Sequence, residues 1–210
     1  MTLQAAGLAC TRGERHLFHD IHFELKGGEA LRMAGTNGSG KTSMLRLLCG
    51  LAEPTAGEVR WHGKDVRRAR EEFCADLVYL GHANGVKDDL AAWENLVVAM
   101  TLSGHAVDSG QAWHALDSVG LGEIGHLPAR SLSQGQRKRV ALARLQLSTA
   151  QPLWILDEPF TALDAASVAA LCETLNAHLE RGGMLVYTTH QEITLQGHMR
   201  QLDLGGEVTC

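Results

Sequence analysis

The sequence lacks the usual substitutes for a hydrophobic core. Its five cysteines are odd in number, scattered along the chain and never arranged as a Cys-x-x-Cys pair. Neither a zinc site nor a disulfide framework is therefore indicated, and a reducing cytosol suits the chain best. Internal repeats, low-complexity segments and linkers rich in proline or serine are also missing. The chain must fold by burying its own apolar residues.

A strong positive charge and a long apolar run are lacking as well. The formal net charge of -5 argues against a protein held mainly by nucleic-acid phosphates. The nearest approach to a basic run is Arg137, Lys138 and Arg139, which we interpret as a solvated helix face. Glu94 and Asn95 interrupt the most apolar segment, so no run of about 18 apolar residues exists that would span a membrane.

The hydrophobic pattern that is present predicts two kinds of β-strand. Apolar residues alternate with polar ones over 17–25 and 57–63, which is typical of half-buried, antiparallel strands. Other segments are short and almost continuously apolar, as strands covered on both faces tend to be. These buried strands are predicted over 29–35, 77–80, 153–156 and 184–189.

Helical patterns alternate with the buried strands. Several of these strands are followed by helical patterns, such as those over residues 42–51 and 134–147. The alternation predicts an α/β fold with a mixed or parallel sheet core, an antiparallel β subdomain and right-handed crossovers. Between about residues 88 and 128 the strand signals disappear, and this stretch is predicted to be a helical subdomain inserted in the core. We predict one domain over residues 1–210.

A glycine-rich segment, GTNGSGKT at 35–42, fits the pattern G-x-x-x-x-G-K-[ST] and lies between a predicted strand and a predicted helix. Its glycines let successive backbone N–H groups point at phosphate oxygens, and the helix adds its positive end. The pattern predicts that Lys41 reaches the β- and γ-phosphates and that Thr42 coordinates Mg²⁺. The predicted ATP-binding residues are Gly35, Thr36, Asn37, Gly38, Ser39, Gly40, Lys41, Thr42 and Ser43.

Two acidic residues follow the buried strand at 153–156. Asp157 stands at the strand end, where a carboxylate would hold the Mg²⁺ ion, and Glu158 beside it is the candidate general base for an attacking water. Together with Lys41, Glu158 is a predicted catalytic residue.

With these motifs, the sequence resembles the ATP-binding-cassette family of P-loop ATPases. The segment LSQGQRKRVALARL at 132–145 is similar to the signature that opens a helix in that family, with Gln134 in place of its first glycine. The resemblance implies that two copies meet head to tail and that Ser133, Gly135 and Gln136 of one copy contact the γ-phosphate held by the other. Ser133 also fits a simple helix N-cap, which is compatible with that role.

Further matches follow in the order of the family. Asp164, in TALD, resembles the aspartate that links the two nucleotide sites across the dimer. His190, in TTH, resembles the switch histidine that contacts the γ-phosphate, and the resemblance makes it a third catalytic candidate.

The sequence departs from the family at two positions. Where an aromatic side chain usually stacks on adenine, this chain has Arg12, whose guanidinium can also stack on a π face. Where a glutamine usually senses Mg²⁺ and the γ-phosphate, His82 stands at the expected distance before Glu94 and Asn95. A neutral imidazole can accept a hydrogen bond or bind a metal, so His82 is predicted either to contact ATP and Mg²⁺ or to position its loop.

Several segments of the sequence resemble one branch of the family, the ATPase subunits of the bacterial haem exporter of cytochrome c maturation. The resemblance implies a homodimer, bound to an integral membrane protein and joined by two further proteins of the same complex, at the cytoplasmic face of the inner membrane. It also implies that ATP hydrolysis drives release of a haem-loaded chaperone. None of the eleven histidines follows a Cys-x-x-Cys pair, so direct haem binding is not expected. The segments that carry this resemblance are residues 57–66, 79–96, 153–164 and 182–191.

Three other functions remain open at this point. The chain fits the ATPase of another small exporter, a soluble cassette that acts on ribosomes or DNA, or a non-hydrolysing regulatory cassette. Ribosomal cassettes usually join two nucleotide domains and DNA-repair types carry long coiled-coil insertions, neither of which is seen here. The complete set of catalytic residues argues against a non-hydrolysing role.

Overall fold

The structure is a computed structural model, and it describes residues 1–204 and 208–209. The chain forms two compact units. The first contains residues 1–79, 151–157 and the described residues from 176 onward, and the second contains residues 80–150 and 158–175. The assignment of residues 1–210 to a single domain, with a helical subdomain over about 88–128, stays a prediction.

Strands and helices alternate along most of the chain, as the sequence predicts for an α/β fold. The strands are β1 (Thr2–Arg12), β2 (Arg15–Lys26), β3 (Glu29–Ala34), β4 (Ala56–Trp61), β5 (Lys64–Asp65), β6 (Leu77–Leu80), β7 (Leu153–Leu156), β8 (Met184–Thr188), β9 (His198–Asp203) and β10 (Val208–Thr209). The α-helices are α1 (Lys41–Leu48), α2 (Arg70–Asp76), α3 (Ala92–Leu102), α4 (Ser109–Ser118), α5 (Gln134–Ala143) and α6 (Ala165–Glu180).

The strands form an antiparallel and a mixed sheet, both of which the sequence predicts. The antiparallel sheet has the order β2-β1-β4-β5, with Leu3 opposite Leu25 and also opposite Trp61. The second sheet has the order β10-β9-β3-β8-β7-β6, in which β3 runs parallel to β8 and β9, and β7 runs parallel to β8. Every residue of β7 and β8 is buried, which explains their continuous apolar sequences.

The core of the first unit joins both sheets and α1. Leu3, Leu25, Met44, Ile155 and Val186 belong to one cluster of buried side chains, and each is 0% exposed. Full burial of one such side chain stabilises a fold by about 1.5–3 kcal/mol. This core fixes the phosphate loop, because α1 and β3 flank that loop and both contribute to the cluster.

The second unit is helical around its own core. Leu96 of α3, Leu116 of α4 and Val140 of α5 are buried in one cluster. Helices α3 and α4 lie within the stretch predicted to be helical, and the predicted helix over 134–147 is present as α5 followed by a 3-10 turn at Arg144–Leu147. None of the helices in the described part of the chain has the length and apolar character that a bilayer crossing requires.

The prediction of a solvated helix face at 137–139 is wrong. Lys138 is only 7% exposed. Arg137 donates a 2.9 Å hydrogen bond to Asp88, and Arg139 donates one of 3.1 Å to the carbonyl of Val119. Lys138 lies on the buried side of α5, and the half-buried Arg137 and Arg139 are held by the hydrogen bonds above, so the three cations have specific positions in the second unit.

Candidate functional site

Three sequence-predicted segments meet at one edge of the parallel sheet in the first unit. The phosphate loop follows β3, His190 follows β8, and Asp157 follows β7. Since β8 lies between β3 and β7, the carboxyl ends of these three parallel strands are neighbours. Ligands of open α/β sheets bind at such an edge.

The phosphate loop has the backbone conformation that its glycines allow. The φ angles of Gly35, Gly38 and Gly40 are 139°, 80° and 104°, in the region that favours glycine. A Cβ atom on Gly35 would lie 2.5 Å from Oγ of Ser39, so a side chain there would displace the loop. The loop conformation therefore depends on glycine for both its dihedral angles and its packing.

Lys41 and the start of α1 close the loop. The Nζ atom of Lys41 donates hydrogen bonds to the carbonyls of Gly35 at 2.7 Å and Thr36 at 3.2 Å. The first N–H bond to a residue four positions earlier is donated by Met44 to Gly40, so the N–H groups ahead of Met44 point out of the helix start. An ammonium and a helix start next to one loop form an anion site.

Ser39 supplies an observation that favours a bound group in this loop. Its Oγ atom is buried and has no hydrogen-bond partner among the described residues. Buried polar atoms in native proteins are almost always satisfied by protein, water or a ligand. A phosphate oxygen in the loop would satisfy the hydroxyl, so the residues present fit a nucleotide phosphate.

Asp157 is a buried carboxylate that two threonine hydroxyls hold in place. It is 3% exposed, and both carboxylate oxygens accept hydrogen bonds: Oδ2 from the hydroxyl of Thr42 at 3.0 Å and Oδ1 from that of Thr188 at 2.7 Å. The sequence predicts Asp157 and Thr42 but not Thr188. Thr188 ends β8 in the TTH segment, and its position beside β7 is the signal that the sequence alone does not reveal.

Thr42 and Asp157 also fit the chemistry of Mg²⁺. Within residues 1–204, no cluster of three or more His, Cys, Asp or Glu side chains is placed to hold a metal. Mg²⁺ does not need one, since it is usually held by one or two carboxylates together with substrate phosphates and water. The oxygen pair of Thr42 and Asp157 beside the phosphate loop therefore suits Mg²⁺ brought in with a nucleotide.

The negative charge at Asp157 affects neighbouring groups. Burial, with the Cys49 and Asp157 charges adding to it, raises the pKa of Tyr79 to about 12. Burial also raises the pKa of the Cys49 thiol, and the charges of Cys74 and Asp157 act in the same direction. Because burial is the main cause of both shifts, Tyr79 and Cys49 stay neutral at ordinary pH.

In the second unit, a small cavity of about 60 Å³ brings together residues from three segments. Glu158, half-buried, lies in its wall with a φ of 49°, a left-handed conformation that is uncommon for a residue with a side chain. Such strained residues concentrate at functional sites. The cavity is lined by His82, Asn84, Gln134, Lys138, Glu158, Thr161 and Ala162.

The predicted signature begins α5 with a capping box. The Ser133 hydroxyl accepts a hydrogen bond from the N–H of Gln136 at 3.2 Å, and the Gln136 side chain accepts one from the N–H of Ser133 at 2.8 Å. A Cβ atom on Gly135 would lie 2.7 Å from the carbonyl of Ala162, so a glycine is required there. The capping function of Ser133 is thus present, and its exposed position leaves it accessible to a second molecule.

Asp164 begins α6 in the same unit. It is exposed, and its Oδ1 accepts a 2.8 Å hydrogen bond from the N–H of Ser167. The side-chain and backbone hydrogen bonds of Ser167 lower the pKa of Asp164 below its usual value. Asp164 is therefore a charged N-cap on the surface.

His82 is exposed in a loop that Asn95 holds in place. The buried Asn95 accepts a 2.7 Å hydrogen bond from the N–H of Lys87 and donates to the carbonyls of Lys87, Leu90 and Ala91 at 3.0–3.2 Å. In the sequence, Glu94 and Asn95 only indicate, by their distance from His82, which position His82 occupies. The structure shows that Asn95 itself orders the segment after His82.

Two arginines lie at the β1–β2 turn beside the phosphate loop. Arg12, predicted to stack on adenine, is exposed at the end of β1 and lies opposite Arg15. Nη1 of Arg15 lies 3.6 Å from the position that a Cβ atom would take on Gly38. Of these two arginines, Arg15 is the one with a described contact to the loop, and no sequence motif singles it out.

Comparison with known proteins agrees with this geometry. Residues 18–161 match the family model of ABC transporters. The chain is 50% identical to the cytochrome c biogenesis ATP-binding export protein CcmA of Dechloromonas aromatica, over 97% of this chain and 100% of that protein.

Solved structures show the same fold. An ABC transporter ATP-binding protein from Pyrococcus furiosus has a TM-score of 0.84 and 22% identity, with all of both chains covered. A dimeric ATP-binding cassette in a post-hydrolysis state, bound to ADP and Pi, has a TM-score of 0.77 and 24% identity, with 90% of this chain and 88% of that chain covered. The predicted fold class is confirmed, and the chain belongs to the ABC transporter family, in its branch of cytochrome c biogenesis ATP-binding export proteins.

Proposed function

We propose that this chain is the ATP-binding and hydrolysing subunit of the haem exporter of cytochrome c biogenesis. The observation that carries the ATPase assignment is the buried Asp157, which Thr42 and Thr188 orient beside the phosphate loop. Lys41 of that loop bonds to the carbonyl of Gly35. The assignment to cytochrome c biogenesis rests on the 50% identity to a protein of that name.

The proposal gives each predicted residue a task. The loop and Lys41 bind the phosphates of ATP, and Thr42 and Asp157 would hold Mg²⁺, which shields phosphate charge when bound. Glu158 accepts a proton from the attacking water, and His190 contacts the γ-phosphate. Ser133, Gly135, Gln136 and Asp164 act across a homodimer, and His82 and Arg12 contact the bound nucleotide.

The partners and location are also part of the proposal. We expect two copies of this chain to bind CcmB, with CcmC and CcmD in the same complex, peripherally at the cytoplasmic side of the cell inner membrane. Hydrolysis would then power release of the haem-loaded chaperone, an activity of the ABC-type haem transporter class of translocases. The chain itself is not expected to bind haem or nucleic acid. The alternatives are the ATPase of another small exporter or a soluble cassette.

The variant Glu158→Gln tests the assignment of the base. A glutamine keeps the shape of the side chain but cannot accept the proton, so ATP binding should persist while turnover is abolished and a closed dimer accumulates. ATP binding, ATP hydrolysis and size-exclusion chromatography measure these three effects. Rapid hydrolysis by the variant would remove Glu158 from its role.

The partners are tested by affinity purification of the chain from membranes and identification of the proteins that come with it. Recovery of integral membrane proteins of the cytochrome c biogenesis complex supports the proposal. Recovery with ribosomes and no membrane protein would favour the soluble alternative.

A further inference from the structure

Lys138 lies in an unusual position for a lysine. It is in the second turn of α5, four residues after Gln134, and it is only 7% exposed. Removing an ammonium from water is costly, and lysines are almost never fully buried unless a charge or a set of acceptors compensates. The position therefore calls for an anion close to the Lys138 side chain.

A carboxylate that can serve as this anion lies in the wall of the cavity that Lys138 lines. Lys138 and Gln134 reach it from the same face of α5, because residues four apart on a helix are neighbours. Glu158 contributes the carboxylate to the cavity wall. Both side chains thus line one small cavity of about 60 Å³.

The backbone around Glu158 supports a positioning role. Its φ of 49° fixes the start of the side chain, and the neighbouring Ala162 also has a positive φ, of 64°. The carbonyl of Ala162 packs against Gly135 of α5. The segment that carries Glu158 thus has a defined place against the helix that carries Lys138.

We propose that Lys138 is a positioning residue that holds the carboxylate of Glu158 in the orientation that its role as general base requires. The inference rests on the proposed function, which makes Glu158 the base. The ammonium of Lys138 attracts the carboxylate, and its place in the wall limits the rotamers of Glu158. Lys138 does not touch the substrate in this role, and it acts on the rate through Glu158 alone.

The kinetic test compares Lys138→Met with Lys138→Arg in the full-length chain. Loss of the charge should lower kcat by about ten- to a hundredfold, in analogy to the range found when a partner that orients a metal ligand is removed. The KM for ATP should change by less than about twofold, because orientation of the base matters only in the transition state. Arginine keeps the charge, so Lys138→Arg should recover most of kcat.

Lys64→Met serves as the matched control. Lys64 is exposed and pairs with Glu72 on the surface of the first unit, so kcat and KM should remain as in the unmodified chain. A raised KM with unchanged kcat in Lys138→Met would mean that Lys138 binds phosphate, and equal losses in Lys138→Met and Lys138→Arg would mean that the shape and not the charge matters. Either result would overturn the proposal.

A double-mutant cycle separates this proposal from the ATPase assignment. Lys138→Met, Glu158→Gln and the double variant are unfolded in urea, and their free energies of unfolding are compared. If the two charges compensate each other, the double variant should lose clearly less stability than the sum of the single losses. Additive losses would contradict the pairing. An unmodified chain without ATPase activity would overturn the proposed function, while the cycle would still decide whether the two residues interact.

Discussion

The hydroxyl of Thr188 donates a 2.7 Å hydrogen bond to Oδ1 of Asp157, opposite the oxygen that accepts from Thr42 at 3.0 Å. Thr188 ends β8 and Asp157 follows β7, so the bond joins two neighbouring strands at the edge where the phosphate loop lies. Thr42 and Asp157 would hold the cation that accompanies a nucleotide, and Thr188 bonds to the carboxylate oxygen that Thr42 does not contact. Thr188 is therefore the residue that would keep the carboxylate oriented when Thr42 turns to a cation.

Thr188→Val should lower the stability of the fold and weaken the binding of Mg²⁺. The substitution keeps the shape of the side chain but leaves a carboxylate that is 3% exposed without one donor, at a cost of about 1–3 kcal/mol in the free energy of unfolding. The Mg²⁺ concentration for half-maximal ATPase activity should rise by about tenfold, since partners that orient a metal ligand have effects of that order. Urea unfolding and Mg²⁺ titration of the ATPase rate measure the two effects.

Thr101→Val is the control for this experiment. The Thr101 hydroxyl bonds only to a carbonyl of its own helix, that of Val97, in the described contacts. Its replacement should change stability little and leave the Mg²⁺ titration as it is. An unchanged titration in Thr188→Val would show that Thr188 does not orient the carboxylate.

The arginines of the β1–β2 turn should bind different parts of ATP. Arg15 lies against Gly38 of the phosphate loop, whereas Arg12 stands where the family resemblance implies a stacking partner for adenine. Each exposed contact is worth about 1 kcal/mol, or roughly fivefold in Kd. Arg15→Met should therefore weaken the binding of both ATP and inorganic tripolyphosphate. Arg12→Met should weaken the binding of ATP alone, and isothermal titration calorimetry measures these affinities. Each variant is the control for the other, and equal profiles would refute the division.

The sequence predicts the fold well because its signals are local. The alternating residues of β2 and β4 and the continuous apolar residues of β7 and β8 reflect which faces are covered, and this information lies within each strand. The phosphate loop is equally local, since glycine dihedrals, lysine and threonine occur in eight consecutive residues. Asp157 can be predicted for the same reason, because it directly follows a continuously apolar strand.

What the sequence does not reveal depends on contacts between distant segments. Thr188 matters because β8 lies beside β7, and Lys138 is buried because α5 packs within the second unit. Three adjacent cations in a helix are typical of a solvated face, and only the packing of α5 shows otherwise. Arg15 escapes sequence reasoning because the turn after β1, rather than a place in the motif order, brings its side chain to Gly38.

Asn95 should be essential for the order of the loop that contains His82. Its side chain makes four hydrogen bonds with residues 87–91 and is 6% exposed, so Asn95→Ala leaves several backbone groups without partners. We expect a loss of about 3 kcal/mol in the free energy of unfolding and faster limited proteolysis between residues 82 and 91. Asn176→Ala is the control, because the Asn176 side chain accepts one bond, from Gln196, and should cost about 1 kcal/mol. Unchanged proteolysis would show that the loop is ordered by other contacts.

Acid should destabilise the first unit through His178. This imidazole is 2% exposed and stacks on Trp154 with ring centres 3.8 Å apart, and burial lowers its pKa from 6.5 to about 4, although its hydrogen bond to the carbonyl of Met184 opposes the shift. The charge of Arg181 lowers the pKa further. The folded chain therefore keeps His178 neutral at a pH where the unfolded chain already binds a proton.

The sign of the pH effect follows from this difference. The contribution of His178 to stability is complete above about pH 6.5 and decreases as the pH falls toward about 4, by up to roughly 3 kcal/mol. His178→Phe keeps a ring against Trp154 but has no titrating group, so the free energy of unfolding should depend less on pH in this window. The exposed His114, replaced in the same way, should leave the pH dependence as in the unmodified chain. Urea unfolding at pH 7, 6, 5 and about 4 measures the difference, and parallel curves for His178→Phe and the unmodified chain would show that His178 is protonated as easily in the folded as in the unfolded state.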